Sequence, residues 1–246
     1  GTLFSLLYAW FLLKREGFFH GGRWIPDTAY FKKVGPLFGS VLSEQGSERI
    51  GMVLFSRMAA GLGTVPFAVH SICMNICDIY YDFIMGFGKA GMVSAGQAVG
   101  RGSMDDWQQY RKRGLRWCLL LSTAACVSIL FFEDSLFSIY SSDPALHVLA
   151  GTIMVFIALV SYPEALALWG AGILRGSGQT AQVAAYSFLS ITFLRPLMTA
   201  FFIYVLDMGL IGTWCALFID QVIRASCAAF LVNRLSAKRG FLPDAG

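Results

Sequence analysis

Six long, predominantly apolar stretches constrain what this chain can fold into more than any other feature. They run at roughly 34–61, 64–95, 114–139, 145–173, 181–206 and 209–233. As a helix, each is long enough to cross a hydrocarbon core of about 30 Å, which takes about 20 residues. Gly, Pro and small residues recur inside them, as in helices that pack closely in a bilayer. None shows the period-two alternation of a membrane β-barrel. Only 14% of the residues are charged and the mean hydropathy is +0.61, where soluble domains carry about 25% charge.

The breaks between the stretches sort the charges. "AAGLGT", "GRGSMDD" and "SSDP" punctuate the first four. One set of connections holds Lys14, Arg15, Arg23, Lys32 and Lys33, then Arg101, Arg111, Lys112, Arg113 and Arg116, then Arg175, then Arg234, Lys238 and Arg239. The alternate set holds Glu133, Asp134, Asp143 and Asp207 and no Lys or Arg. Basic connections mark the cytoplasmic side. The expectation is a multi-pass protein of the cell membrane with its C-terminus in the cytoplasm. Topology and anionic lipid head groups explain the basic clusters without a nucleic-acid partner.

The organisation expected from these breaks has four parts. Residues 1–13, "GTLFSLLYAWFLL", are the tail of a truncated transmembrane helix. Residues 14–33 form a basic cytoplasmic loop, 34–233 a six-helix lobe, and 234–246 a cytoplasmic tail. The cysteines at 73, 77, 118, 126, 215 and 227 lie in apolar stretches without C-x-x-C spacing, and the three histidines are scattered. They fit buried packing positions better than a metal or redox site. No phosphate-binding glycine loop or G-x-S-x-G elbow is present, and no nucleophile–base constellation points to an enzyme.

Polar residues inside the spans carry most of the functional signal, because charge at mid-bilayer is expensive. Ser40, Glu44, Ser47 and Glu48 share a face of the first span. Asn75, Asp78, Asp82 and Lys89 form a stripe on the second. Glu164 stands directly after Pro163, Arg195 beside Pro196, and Asp220 four residues before Arg224. If these charges are structural, Asp220 with Arg224 and Asp82 with Lys89 are the expected ion pairs, with Arg195 and Glu48 as further structural partners. Glu44 and Glu164 have no basic residue at helical spacing. A hydrogen-bonded neutral Glu between helices is one explanation for each. The other is a water-accessible acid that exchanges a proton or metal ion for an organic cation. Pro163 favours the second at Glu164, because it frees the carbonyl of Leu159 and bends the helix.

Several of these stretches resemble the multidrug and toxic compound extrusion (MATE) family. "EALALWGAGILRGSGQT" (164–180), "GPLFGSVLSE" (35–44), "SAGQAVGRG" (94–102), "LGTVPFAVHSI" (62–72) and "GLIGTWCALFID" (209–220) occur in the order of that family's C-terminal lobe. The resemblance implies an all-α polytopic membrane helical bundle. It would comprise six transmembrane helices plus the tail of a preceding one, forming one lobe of a two-lobe transporter. It also implies a secondary active exporter that antiports amphipathic organic cations against Na⁺ or H⁺, with no other cofactor. Carried over, Glu44, Asn75 and Glu164 are the substrate- or ion-binding residues and the possible Na⁺ ligands. Glu48, Asp78 and Asp82 are secondary candidates. The implied partners are small-molecule organic cations, membrane lipids and an N-terminal lobe.

Two other functions fit part of the pattern. A flippase or exporter of lipid-linked saccharides shares such a fold, but its cavity should be rich in Arg and Lys to hold pyrophosphate. The third possibility is a non-catalytic membrane partner subunit. The deep acids favour the exporter of cations.

Overall fold

The computed structural model describes residues 2–15, 28–141 and 143–237. The chain divides into two units, Gly1–Gly39 and Ser40–Gly246. In the first unit, α1 (Thr2–Arg15) ends on Lys14 and Arg15. Cations there complement the carbonyl end of the helix dipole, and the Lys14 ammonium stands 5.2 Å over the Trp10 ring. Leu3, Phe4, Leu6 and Trp10 are all exposed. The next helix, α2 (Thr28–Ala60), begins inside the stretch expected to be loop up to residue 33. Most of that loop, and the tail beyond Ala237, lie outside the described residues.

In the second unit the apolar stretches become α3 (Thr64–Gly100), α4 (Met104–Phe131), the short α5 (Glu133–Ser138), α6 (Pro144–Gly176) and the helical stretch Thr180–Val205. The last of them becomes α9 (Gly209–Ala237). The stretch Thr180–Val205 is α7 (Thr180–Phe188), a π-helical turn Leu189–Leu194, α8 (Arg195–Ala200) and a second π-helical turn Phe201–Val205. No strand occurs among the described residues. The helices overrun the apolar stretches at several ends. α4 starts ten residues early because Ser103 caps it, accepting from the Asp106 amide at 3.3 Å, and Asp105 and Asp106 occupy its first turn. A turn closed at Gly63, with φ 111°, joins α2 to α3.

By length and composition, α4, α6, Thr180–Val205 and α9 are apolar enough to cross a membrane. At 33 and 37 residues α2 and α3 are also long enough. The outward faces are apolar: Phe83, Leu120, Leu197 and Phe230 are at least 60% exposed. A surface of that kind suits lipid, and a monomer in water would not tolerate it.

α6 is the hub and packs against α3, α4 and α9. Its crossing with α3 is close because both partners are glycine there. A Cβ on Gly172 would come within 2.1 Å of the Gly88 carbonyl oxygen. Two apolar clusters flank the middle of the bundle. One holds Phe55, Cys73, Ile153, Ile157, Trp214 and Leu217. The other holds Tyr80, Ile84, Trp107, Leu168, Trp169 and Val232. Along α6 and α9 the first cluster reaches Val160 and Leu217, and the second resumes at Ala165 and Val232. Buried Glu164, Asp220 and Gln221 fall in the gap between them.

Candidate functional site

The polar layer begins with a proline. Pro196 has no N–H, so the turn before it cannot close in the α register. The Arg195 amide instead donates to the Ser190 carbonyl, five residues back, and Leu189–Leu194 is π-helical. α2 fits tightly against this turn: a Cβ on Gly51 would lie 2.4 Å from the Ile191 carbonyl oxygen.

Arg195 points from the turn to α9, where its Nε donates to Asp220 Oδ2 at 3.0 Å and its Nη2 donates to the same oxygen. Ser190 Oγ donates to Asp220 Oδ1. Arg195 also reaches Met52 Sδ and stands over the Phe55 ring. This corrects the expected Asp220–Arg224 pair. The guanidinium fork and a hydroxyl across the helix interface satisfy both carboxylate oxygens, which an i, i+4 neighbour cannot do. Arg224 has no partner at Nε among the described residues.

Glu164 follows Pro163 on α6 and is 4% exposed. The turn that Pro163 disturbs is supported from the side. The Ser161 carbonyl accepts from Tyr80 Oη at 2.8 Å and from Ser122 Oγ at 3.2 Å, joining α3, α4 and α6. Gln221 Nε2 donates to Glu164 Oε1 at 3.0 Å. The other oxygens of this pair, Glu164 Oε2 and Gln221 Oε1, are buried with no partner among the described residues. Glu164 and Gln221 line a cavity of about 260 Å³. Glu48, Asp78, Arg195 and Arg224 share its wall, with Met52, Met74 and Met85 among the apolar lining.

A bundle of this form with a buried acid at a proline has recognisable relatives. The MatE family model matches residues 36–201. The chain belongs to the MatE family. Over 186 residues it is 28% identical to the "Probable multidrug resistance protein NorM" of Xanthomonas campestris pv. campestris, covering 72% of this chain and 39% of that protein. Over 243 residues it is 25% identical to the human "Multidrug and toxin extrusion protein 1", covering 97% of this chain and 42% of that protein. The chain thus spans less than half the length of either. In fold it matches a solved structure described as "Crystal structure of MATE in the straight conformation", with a TM-score of 0.79 at 16% identity. That match covers 95% of this chain and 53% of the other. MatE proteins are transporters, not enzymes, and the apolar helices make this one a multi-pass membrane protein.

The other site residues named from sequence fall unevenly in this MatE bundle. Glu48 lines the cavity and accepts from Gln45 at 3.2 Å. Asp78 lines it as well. Asn75 and Asp82 are exposed and do not line it. Asp82 and Lys89 form no ion pair with each other among the described residues. The side chain of Glu44 lies outside the described residues. Among the described residues no three His, Cys, Asp or Glu side chains converge as a metal-ligand set. Sequence reasoning missed Gln221, Tyr81 and the methionines of the cavity wall, and took Arg224, also in that wall, for the structural partner of Asp220. An amide in mid-span next to Asp220 was the available signal for Gln221.

Proposed function

We propose that this MatE chain is one lobe of a multidrug exporter that couples efflux of amphipathic organic cations to uptake of Na⁺ or H⁺. Glu164 is the coupling acid and Gln221 its fixed partner. One observation carries this proposal: two oxygen acceptors, Glu164 Oε2 and Gln221 Oε1, are buried without a donor among the described residues, on side chains that line a cavity. Unmet buried acceptors call for a proton, a metal ion or a cationic ligand. Methionine-rich walls adapt to apolar bodies of varied shape. A facing lobe would enclose the cavity, since alternating access takes two bundles rocking about a shared site. Glu44 and Asn75 remain candidate ion ligands on the family resemblance, with Asp78 and Glu48 closer to the substrate and Asp82 peripheral.

The test is ion-gradient-driven efflux of a fluorescent organic cation from vesicles holding the two-lobe transporter. Glu164→Gln should abolish coupled efflux at near-normal expression. Normal transport by that variant would end this assignment. The basic connections give the orientation, with the C-terminus cytoplasmic. A cysteine at Asp207 should react with an impermeant thiol reagent from outside, and one at Ser103 should not.

The lipid-linked saccharide function draws on one observation, the presence of Arg49, Arg195 and Arg224 in the cavity wall. Arg195 is neutralised by Asp220. That leaves Arg49 and Arg224 facing Glu48, Asp78 and Glu164, a balance that favours a cation over a pyrophosphate. Competition of the fluorescent cation by a polyprenyl pyrophosphate, but not by other amphiphilic cations, would reverse this preference.

A further inference from the structure

A second cavity, of about 220 Å³, lies apart from the polar layer, where α4 begins and α6 and α9 end. α4 and α9 both pack on α6, and the cavity is the groove between them. Its floor is apolar, formed by Leu115, Leu166, Ile173 and Val232. Trp169 fixes one wall. Its ring fits where α4 has Gly114, and a Cβ there would come within 1.9 Å of it. Trp169 Nε1 also donates to the Arg111 carbonyl at 3.4 Å.

The rim is basic. Arg111 and Lys112 line the groove, and Arg113 and Arg116 follow on the same helix. Arg111 bridges the mouth, with Nη1 donating to Asn233 Oδ1 on α9 at 2.9 Å. Its guanidinium stands 5.8 Å over the Trp107 ring. Its Nε is buried and has no partner among the described residues. Neither Arg111 nor Lys112 forms an ion pair among the described residues, and Asp106, on the same helix, is paired with Arg101 instead. Just past the rim, Trp117, Leu119 and Leu120 are exposed on α4, so the lipid-facing stretch starts there. An aromatic residue beside a basic cluster marks the head-group level.

We propose that this groove binds an anionic phospholipid. The phosphate sits at the Arg111 Nε and Lys112 Nζ donors, and part of one acyl chain lies along Leu115, Leu166 and Val232. Charge complementarity and the apolar floor select this occupant: a free phosphate would use the rim alone, and a zwitterionic lipid would bring its own cation to a basic site. Basic pockets between membrane helices recognise anionic head groups in this way. The proposal is independent of the central cavity and of the transported substrate.

The test uses the whole chain purified in detergent. Bound lipid per chain is counted by native mass spectrometry during titration with dioleoylphosphatidylglycerol, dioleoylphosphatidylcholine or inorganic phosphate. Phosphatidylglycerol should bind saturably at one per chain and at least about tenfold more tightly than phosphatidylcholine. Arg111→Gln with Lys112→Gln should erase about tenfold or more of that affinity, since each surface cation contributes about fivefold. Should that double variant not fold, Lys112→Gln alone changes an exposed side chain and should weaken binding about fivefold. Arg101→Gln with Arg175→Gln, which removes the same charge from the same end, should leave the site intact. Equal binding of the two lipids would overturn the proposal. So would competition by inorganic phosphate at lipid-like concentrations, or an equal loss in the Arg101→Gln/Arg175→Gln control.

Discussion

Asp220 and Glu164 are both carboxyl groups in the interior of an apolar bundle, and neighbouring positions of α9 serve both. Asp220 turns toward the π-helical turn, where Arg195 and Ser190 satisfy both of its oxygens. Gln221, the next residue, turns toward α6 and satisfies one oxygen of Glu164, while the other has no partner among the described residues. A buried acid with both oxygens already accepting hydrogen bonds, three in all here, has little left for a ligand and holds helices in register. A buried acid with one oxygen open to a cavity keeps capacity for a ligand. The number of partners among the described residues is what separates the two acids, because burial hardly does: both residues are under 5% exposed.

The largest expected effect breaks the closed half of this comparison. Asp220→Asn should destabilise the purified chain by about 3–5 kcal/mol, because it leaves the Arg195 guanidinium buried without a counter-charge. Unfolding in a denaturing-detergent titration measures this. Asp220→Leu combined with Arg195→Met should recover most of the loss, since a buried ion pair replaced by apolar side chains is close to neutral. A double variant no more stable than Asp220→Asn would mean that the pair has no structural role of the kind assigned to it.

The error about Asp220 shows where the sequence stops being legible. Helical spacing pointed to Arg224, and spacing within one helix was the available signal. The actual partner comes from another helix, turned toward α9 by a change of register that Pro196 induces. A proline is visible in a sequence, but the direction in which a widened turn swings the next side chain is not. α3 teaches the same lesson more finely. Its polar stripe Asn75–Asp78–Asp82–Lys89 reads as one seam. The wall of the cavity is instead Met74, Cys77, Asp78, Tyr81 and Met85, at helical spacing. Asn75, Asp82 and Lys89 repeat every seven residues on a neighbouring stripe and are exposed. The segments, their order and Glu164 beside Pro163 were legible, because apolar length and the cost of buried charge act locally. Gln221 was not, because its role depends on a facing helix.

Two intermediate effects probe the open half. Gln221→Leu removes the one donor that Glu164 has among the described residues, and leaving a buried polar group unsatisfied costs about 1–3 kcal/mol. Its cost should fall between those of Asp220→Asn and of a surface substitution, measured by the same titration. A change within about 0.5 kcal/mol would mean that Glu164 is held by something other than Gln221. Tyr80→Phe removes the hydroxyl that supports Ser161 beside Pro163. About 1 kcal/mol is expected, because Ser122 still donates to that carbonyl. A loss well above this would mean that the helical turn at Pro163 depends on Tyr80 alone.

The smallest expected change is the sharpest. Glu164→Gln should alter the stability of the chain by no more than about 1 kcal/mol, although it alters a buried, nearly inaccessible residue. The substitution keeps the shape of the side chain, and its amide oxygen can still accept from Gln221 Nε2. The amide nitrogen takes the place of Oε2, which has no partner among the described residues. It adds a donor in a cavity wall that also holds Gln221 Oε1, an acceptor without a partner among the described residues, and a buried donor that finds an acceptor contributes about 1 kcal/mol. Taking an ionisable group out of an apolar interior is neutral or stabilising in its own right. Asp220→Asn at a comparable depth should cost several times more. If Glu164→Gln proved as damaging as Asp220→Asn, the bare oxygen would have to be engaged in the folded chain. Glu164 would then be a second structural acid, with no capacity left for a transported cation.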